Sequence, residues 1–348
     1  MKLRSLAKKD IGWLKNTAKE ECSVISTRIR LARNLKDYPF PNAASEEQLD
    51  RILKKVFKAC DNITYLKNAT KIKLDECSDV DRRLLLERKL ISHEHAISSQ
   101  YGGVIIDDSE RISIMVNEED HLRIQYIMGG LNLFDMWEVI SKIDDEISDN
   151  MDYAYSDRYG FLTACPTNTG TGMRASCQMH LPGLGMTNKI RTTMENINKM
   201  GMVVRGIYGE GTKIMGNILQ ISNQVTLGIS EQRVIDSLRR LVVQVSDGEN
   251  KICKNLLQNN QGNLKDNIFR ARGVLANAYK ISFEEALNLI SNVRMGVCLG
   301  ILDIDINRIN DIIIKMQPAH IQELENRKMD PSQRDVARAK LLKKVIKP

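Results

Sequence analysis

The chain has 348 residues, of which 42% are hydrophobic and 27% are charged, and its formal net charge is +7. This composition is typical of soluble globular proteins and excludes the collagen-like, disordered and disulfide-scaffold classes. The excess of Lys and Arg lies at the two ends of the chain around a slightly acidic body, which argues against direct nucleic-acid binding.

Residues 1–21 form a basic N-terminal segment without the apolar core of a secretory signal. No apolar run elsewhere approaches the ~20 residues that a membrane-spanning helix needs, so we expect a cytoplasmic protein. The seven cysteines show no C-x-x-C spacing. We therefore expect reduced thiols rather than a disulfide framework or a zinc site.

The first strong periodicity predicts a helix over residues 45–61, where Ser45 and Gln48 form a capping box ahead of apolar residues spaced three or four apart. Residues 103–117 alternate in polarity around a polar turn, which predicts a β-hairpin. Helical spacing returns over residues 131–147. This order predicts helices mixed with short antiparallel strands.

The second half changes character. Ser230 is expected to begin a helix, residues 259–263 to form a linker, and the rest of the chain to be mostly helical. We therefore predict an α+β fold, an antiparallel sheet flanked by helices, followed by an all-helical C-terminal domain. Three strands are expected near 175–181, 202–208 and 217–223, with a helix near 188–200. The predicted divisions are 1–21, 22–254 and 255–348.

Arginines in apolar or glycine-rich surroundings are the unusual chemical feature of the chain. Burying an arginine is costly unless it meets an anion. Arg28 and Arg30 would point the same way from a strand, as binding to one phosphate chain requires. An ion pair with a neighbouring carboxylate explains any one of these arginines well, but five together favour a polyanionic ligand. The five are Arg28, Arg30, Arg123, Arg174 and Arg205.

The common nucleotide-binding motifs do not account for such a ligand. The chain has no G-x-x-x-x-G-K-[ST] loop and no kinase H-R-D with D-F-G. Residues 170–175 match the loose G-x-G-x-x-A pattern, but no strand–helix–strand unit surrounds them. A dinucleotide fold is therefore disfavoured.

Four blocks together resemble the ATP:guanido phosphotransferase, or phosphagen kinase, family. They are STRIRLARN (26–34), NEEDHLRIQ (117–125), CPTNTGTGMRAS (165–176) and RGIYGEG (205–211) followed by ISNQ (221–224). Their order and spacing agree with that family, and within it with the bacterial protein-arginine kinases. The resemblance implies transfer of the γ-phosphoryl group of ATP to protein arginine side chains. A phosphagen kinase acting on free arginine and a catalytically silent phosphoarginine-binding adaptor remain alternatives.

The resemblance also implies the site residues and the cofactors, ATP and Mg²⁺, with no metal ligand from the protein. Glu119 and Glu210 would hold the substrate guanidinium, and Cys165 would be the active-site cysteine. The implied nucleotide-binding positions are Ser26, Thr27, Arg28, Ile29, Arg30, Arg123, Arg174, Ala175, Ser176, Arg205, Gly206 and Gly209.

Near the C-terminus, the segment RDVARA is similar to an allosteric phosphoarginine-binding motif of the same family. The implied pocket residues are Arg334, Asp335, Arg338 and Ala339. The alternative is an ordinary helix face on which Asp335 pairs with neighbouring arginines. The resemblance further implies protein substrates with exposed arginines, among them a heat-shock repressor, a Clp-type unfoldase and protease, a small zinc-containing activator, and a homodimer held by the helical domain.

Overall fold

The computed structural model describes residues 3–15, 22–97, 100–206 and 214–347. Within these ranges, eight strands form one antiparallel sheet and two short strands form a separate hairpin, β6 (Tyr155–Ser156) and β7 (Gly160–Phe161). The sheet strands are β1 (Val24–Arg33), β2 (Thr70–Lys73), β3 (Gly103–Ile106), β4 (Ile112–Val116), β5 (Leu122–Gly129), β8 (Met173–His180), β9 (Met202–Gly206) and β10 (Ile218–Asn223). Their spatial order is β2-β3-β4-β5-β1-β8-β10-β9, which places β1 near the centre.

Helices surround this sheet and then make up the C-terminal part of the described chain. Those of the first part are α1 (Leu3–Lys8), α2 (Glu46–Ala59), α3 (Asp79–Glu87), α4 (His93–Ile97), α5 (Leu133–Ser148), α6 (Pro182–Met186) and α7 (Ile190–Lys199). After the last strand come α8 (Glu231–Asn259), α9 (Gln261–Asn277), α10 (Phe283–Cys298), α11 (Ile306–Lys315), α12 (Pro318–Leu324) and α13 (Pro331–Ile346). The predicted α+β fold with a helical C-terminal region is confirmed.

Local signals predicted several elements correctly. Helix α2 begins after Ser45, whose side chain accepts a hydrogen bond from the Gln48 amide while the Gln48 side chain accepts one from Ser45. The hairpin is present as β3 and β4. The predicted linker over 259–263 is wrong, because only Asn260 separates α8 from α9. Since α8 is continuous, it also passes the predicted division at residue 254.

The two faces of the sheet differ in polarity. On β1, Ile29 and Leu31 are fully buried in the main core, which also contains residues of α2, α5 and α8. Because side chains alternate along a strand, Arg28 and Arg30 lie on the opposite face. The same alternation along β5, β8 and β10 collects polar side chains on that face. We call it the polar face.

A second core joins the C-terminal helices to the sheet-containing part. Apolar residues of α9, α10, α11 and α13 pack with Ile25, Ile127 and Ile218 of the sheet and with Trp13 of the N-terminal segment. The helical region is therefore packed against one end of the strands that carry the arginines. No helix in the described ranges is long and apolar enough to span a membrane.

The expectation that all cysteines are reduced is wrong in the structure. Cys22, just before β1, and Cys298, in the last turn of α10, form a disulfide with their Cα atoms 5.7 Å apart. Sequence spacing could not indicate this pair, because its members are 276 residues apart. Five cysteines remain as thiols: Cys60, Cys77, Cys165, Cys177 and Cys253.

Candidate active site

Strand register brings the sequence-predicted arginines together on the polar face. Arg30 of β1 lies opposite Arg174 of β8 and opposite Gln125 of β5, and Arg123 lies opposite Ala32 one pleat further along. Directly opposed residues of antiparallel strands point to the same side and lie close together. Arginines that are far apart in sequence therefore become neighbours.

A cleft of about 760 Å³ opens on the polar face. Six of the residues predicted from the sequence line it: Arg30, Arg123, Arg174, Arg205, Glu119 and Cys165. Arg28 is not among the lining residues, and its Nη2 donates a 3.1 Å hydrogen bond to Gln220 Oε1. The structure therefore places four of the five predicted arginines, one predicted carboxylate and the predicted cysteine around one cleft.

Burial and mutual repulsion lower the pKa values of two of these arginines, Arg28 and Arg30. Burial, followed by the charges of Arg123, Arg174 and Arg205, lowers the pKa of Arg28 to about 10. Burial and neighbouring arginines also hold the pKa of Arg30 well below its ordinary value, and Arg30 Nε is buried with no hydrogen-bond partner among the described residues. Such an arrangement is electrostatically suited to a polyanion that would offset the repulsion.

Lys89 adds a further cation that sequence reasoning missed. Its ammonium group donates a hydrogen bond to Gln178 on the polar face and lies 5.1 Å from the centre of the Trp13 ring. Burial and then Arg28 lower the pKa of Lys89 to about 7. A lysine directly after a helix usually indicates a solvated end, so no local signal distinguishes this one.

Glu119 lies in the turn between β4 and β5, beside both a cation and the cysteine. Its Oε2 is 3.2 Å from Arg123 Nη2 and 3.4 Å from Asn168 Nδ2. Burial raises the pKa of Glu119, while Arg123 and a hydrogen bond from Cys165 oppose that rise. Cys165 Sγ is also 3.0 Å from Thr167 Oγ1. Carboxylate and thiol thus face the same space.

The residues on either side of Glu119 hold it in position. The side chain of Glu118 is only 3% exposed and accepts a 2.7 Å hydrogen bond from Arg123 Nη1. Asp120 is fully buried, and its Oδ1 accepts hydrogen bonds of 2.7 Å from Asn34 Nδ2 and 2.8 Å from the Ala164 amide. Asp120 therefore connects the Glu119 turn to the loop that carries the cysteine. The sequence showed these acidic residues, but not which of them would be buried.

Comparison with known proteins gives the family. The profile described as "ATP:guanido phosphotransferase, C-terminal catalytic domain" matches residues 51–252, and "Protein-arginine kinase McsB C-terminal domain" matches residues 261–348. A protein-arginine kinase of Halothermothrix orenii is 42% identical over 345 residues, 99% of either chain. Another, of Clostridium kluyveri, is 43% identical over 328 residues, 93% of this chain and 94% of its own.

The chain belongs to the protein-arginine kinase family. It is accordingly a phosphotransferase that acts on arginine, and the family resemblance inferred from the four motifs is confirmed.

Solved structures of the wider family agree with this fold. A duplicated taurocyamine kinase from Schistosoma mansoni, with transition-state analogue components bound, matches with a TM-score of 0.59 and 26% identity over 72% of this chain. This chain spans only 35% of that duplicated protein. A lombricine kinase matches with a TM-score of 0.58 and 23% identity over 70% of either chain, which supports the fold alone.

Two glycines of the cysteine-containing loop meet a strict steric requirement in this protein-arginine kinase. Gly172 has a φ of +62°, and a Cβ there would lie 2.5 Å from Arg33 Nη1. Gly170 has a φ of +115°, and a Cβ would lie 2.2 Å from the Thr226 carbonyl oxygen. A side chain at Gly172 would push the loop away from β1, and one at Gly170 would push it away from the segment after β10 that contains Thr226. The two glycines of the G-T-G sequence therefore allow the close contacts that hold the chain between Cys165 and Arg174 in place.

The other positions carried over from the family that lie within the described residues do not line the cleft. Ile29 and Ala175 are fully buried in the main core, and Ser176 is buried on β8. Ser26 and Thr27 are buried as well, with Thr27 Oγ1 donating to the Gly130 carbonyl. Gly206 ends β9. Glu210 and Gly209 lie outside the described residues.

The C-terminal motif lies at the start of α13 and is bound to its own chain. Arg338 is buried and donates 2.9 Å hydrogen bonds to the carbonyls of Met316 and Ile281, and it pairs with Asp335. Arg334 Nη1 donates to the Met329 carbonyl at 2.8 Å. Ala339 is part of the second core. In this arrangement Arg338 connects three helical segments.

Proposed function

We propose that this chain transfers the γ-phosphoryl group of ATP to arginine side chains of proteins. The observation that carries the proposal is the single cleft lined by four arginines, Glu119 and Cys165. Its cations suit a triphosphate, and its carboxylate and thiol suit a guanidinium. The protein-arginine kinases that the chain matches along almost its full length support a protein substrate.

The arginines would position ATP and stabilise the charge that develops during transfer. Phosphoryl transfer needs cations around the equatorial oxygens more than it needs covalent chemistry from the protein. Arg30 fits this role on its geometry, because its buried Nε has no hydrogen-bond partner among the described residues and three arginines surround it against one carboxylate, Glu118. Loss of an arginine that serves the transition state should cost on the order of 10³-fold in rate.

Mg²⁺ would arrive on the nucleotide. Among the described residues, no group of three His, Cys, Asp or Glu side chains is placed to hold a metal ion. Mg²⁺ is commonly bound by substrate phosphates with one or two carboxylates. Glu118 and Glu119, two of the three carboxylates of the cleft lining, could assist, and the ion would supply charge neutralisation.

Glu119 would orient the acceptor and remove its proton. A guanidinium has a pKa above about 12, so it is a poor nucleophile until a base takes a proton during attack. The Glu119 carboxylate can accept hydrogen bonds from two guanidinium nitrogens, which aims a third at the γ-phosphorus. We propose that Glu210 holds the opposite side of the guanidinium and that Cys165, as a thiolate, stabilises its positive charge.

The test compares two acceptors. With Mg-ATP, a basic folded protein should gain acid-labile phosphate on arginine, located by mass spectrometry under non-acidic conditions, while free arginine should gain far less. Labelling of free arginine alone would identify a small-molecule phosphagen kinase instead. No turnover of either, with tight phosphoarginine binding, would indicate a silent adaptor.

Finer aspects of the function are also proposed from the family. We infer that the enzyme acts in the cytoplasm as a homodimer, that it modifies a heat-shock repressor, and that a small zinc-containing protein activates it. Proteins marked with phosphoarginine would then be degraded by a Clp-type unfoldase and protease. A phosphoarginine pocket at Arg334, Asp335, Arg338 and Ala339 would provide feedback. Sedimentation of the purified chain and phosphoarginine titration test the dimer and the pocket directly.

A further inference from the structure

Three cysteines line a small cavity between the sheet and the C-terminal helices. The cavity has a volume of about 130 Å³, and its lining includes Cys22, Cys253 and Cys298. Cys22 and Cys298 form the disulfide, and both are partly exposed. Small reagents that enter the cavity would therefore meet these two residues without unfolding of the protein. This site lies apart from the cleft, because none of its lining residues lines the cleft.

Arg294, one turn before Cys298 on α10, is a buried cation beside this pair. Its Nη1 donates to the Cys22 carbonyl at 2.6 Å and to His180 Nδ1 at 2.8 Å, and lies 4.0 Å from Cys298 Sγ. Its Nε donates to Asn310 Oδ1 at 2.9 Å, whereas its Nη2 is buried and finds no hydrogen-bond partner in the described part of the chain.

Arg294 also has no carboxylate partner within salt-bridge distance among the residues that the structure describes. Its side chain is fully buried, and burial alone lowers the pKa of Arg294 to about 9. A buried guanidinium without an anion is unfavourable, so a negative charge placed beside it would be stabilised. The Cys298 sulfur, 4.0 Å from Arg294 Nη1, can acquire such a charge once the disulfide is reduced.

We propose that Cys22 and Cys298 form a reversible thiol–disulfide site in which the Cys298 thiolate, released on reduction, becomes the counter-ion of Arg294. A nearby cation increases the thiolate fraction and hence the reactivity of a cysteine. The same stabilisation makes Cys298 the better leaving group when a thiol reductant attacks the disulfide.

The chemistry balances with hydrogen peroxide as oxidant and a dithiol as reductant. In oxidation, the Cys298 thiolate attacks one peroxide oxygen, the O–O bond breaks, and Cys298 sulfenic acid forms while the leaving hydroxide takes a proton from solvent to become water. The Cys22 thiol then attacks that sulfur, forming the S–S bond and releasing a second water. In reduction, a dithiol thiolate attacks Cys22 Sγ, Cys298 leaves as thiolate, and the second thiol displaces Cys22 while the reductant becomes a disulfide.

Cys253 provides an internal contrast in the same cavity. Its Sγ donates to Glu249 Oε1 at 3.1 Å, and the Glu249 carboxylate also accepts the amides of Gly183 and Leu184. Burial and then the Glu249 charge raise the pKa of the Cys253 thiol. Cys253 is therefore held as a thiol, in an anionic setting, while Cys298 faces a cation. The two cysteines differ in charge environment within one cavity.

The disulfide would connect the two parts of the protein. Cys22 precedes β1, which carries Arg28 and Arg30, and Cys298 ends α10 of the helical region. A link between segments so distant in sequence restricts the unfolded chain and so stabilises the folded one. Oxidation is therefore expected to cross-link the helical region covalently to the chain just before β1, the strand that carries Arg28 and Arg30.

The first experiment measures thiol reactivity in the full chain. After reduction and removal of dithiothreitol, iodoacetamide at neutral pH should alkylate Cys298 at least about tenfold faster than Cys253, as followed by mass spectrometry of cysteine peptides. Arg294→Gln should abolish this difference, and Arg294→Lys, which keeps a cation, should retain it. Arg270→Gln, an exposed arginine on α9, is the matched control and should change nothing. Equal rates for Cys298 and Cys253 in the wild-type chain would overturn the proposal without any variant.

The second experiment measures the oxidised product. Hydrogen peroxide added to the reduced chain should give a peptide linking Cys22 to Cys298 and raise the melting temperature by about 4 °C or more. Cys253→Ser should behave as wild type. Cys22→Ser should show no such rise and should instead retain Cys298 sulfenic acid that dimedone captures. Absence of the linked peptide, or the same melting shift in Cys22→Ser, would contradict the proposal.

Discussion

Replacing Glu119 by glutamine gives the sharpest test of the proposed chemistry. Glutamine preserves the shape of the side chain, and its amide oxygen can still accept the 3.2 Å hydrogen bond from Arg123 Nη2. It cannot accept a proton from the acceptor guanidinium. We therefore expect kcat to fall by about 10²–10⁴-fold, which corresponds to about 3–5 kcal/mol in the barrier.

ATP affinity should change much less in the same variant. Glu119 is one member of the cleft, whereas the triphosphate would be bound by arginines that stay in place. The dissociation constant for ATP, measured by calorimetry, should therefore move by less than about threefold, since the removed charge is a half-exposed carboxylate screened by solvent.

Glu94→Gln is the matched control for this change. Glu94 is an exposed carboxylate of the same cleft, so the variant removes the same charge from the same region without removing the proposed base. Its kcat should stay within about threefold of wild type. If Glu119→Gln keeps more than a tenth of the wild-type kcat, the base assignment is wrong. If its ATP affinity falls in parallel with kcat, Glu119 instead organises the arginines.

Other expectations follow from the same contacts. Burial raises the pKa of Glu119, and kcat/KM should rise with pH as this base loses its proton. The midpoint of that rise should therefore lie above the ordinary glutamate pKa, and the rise should disappear in Glu119→Gln. Asp120→Asn should lower kcat by about tenfold with little change in the KM for ATP. The substitution weakens the charge-assisted hydrogen bond from the Ala164 amide, worth about 1.5–3 kcal/mol, that holds the cysteine-containing loop. Arg338→Ala should lower the free energy of unfolding, measured by urea titration, by about 3 kcal/mol or more. The Met316 and Ile281 carbonyls and the Asp335 carboxylate would lose the guanidinium that donates to them. An unchanged free energy of unfolding would favour a binding role for Arg338.

Much of the fold was accessible from local sequence signals. A capping box at Ser45 and Gln48 begins α2, and alternation over 103–117 indicates the β3–β4 hairpin. These signals are short-range, so one sequence suffices to read them. The linker prediction failed because Asn and Gly residues around 260 suggested a loop, whereas helical packing on both sides leaves a single residue between α8 and α9.

The cleft was accessible only in part. Arg28 and Arg30 could be placed on one face because two-residue spacing fixes their relative direction on a strand. Lys89 and Asp120 could not be assigned roles, because their importance depends on contacts with Gln178 and Ala164, which are far away in the chain. The Cys22–Cys298 pair has the same explanation: it is created by packing of α10 against the start of β1.

Buried arginines in this protein fall into two electrostatic groups, and the first is structural. Arg33 is buried and donates from Nε and Nη2 to the Asp144 carboxylate, at 2.7 Å for the shortest contact. Arg88 donates in the same two-pronged way to Glu110, which is also buried. Each of these cations meets an anion of its own chain. The favourable pairing offsets the cost of burial and leaves no charge for a ligand.

The second group is defined by the missing anion, and this distinguishes a ligand site from a structural pair. Among the described residues, each charged neighbour that shifts the pKa of Arg28 is another arginine, and Arg28 Nη2 donates a hydrogen bond to the neutral Gln220. Arg30 Nε is buried and has no hydrogen-bond partner in the same described part of the chain. Bringing these cations together on folding costs free energy, because they repel one another. A bound anion reduces that repulsion and so stabilises the folded state. Sequence periodicity predicts that an arginine lies on a buried strand. Whether its charge is balanced by a carboxylate of the protein or by a bound ligand depends on the register between the strands.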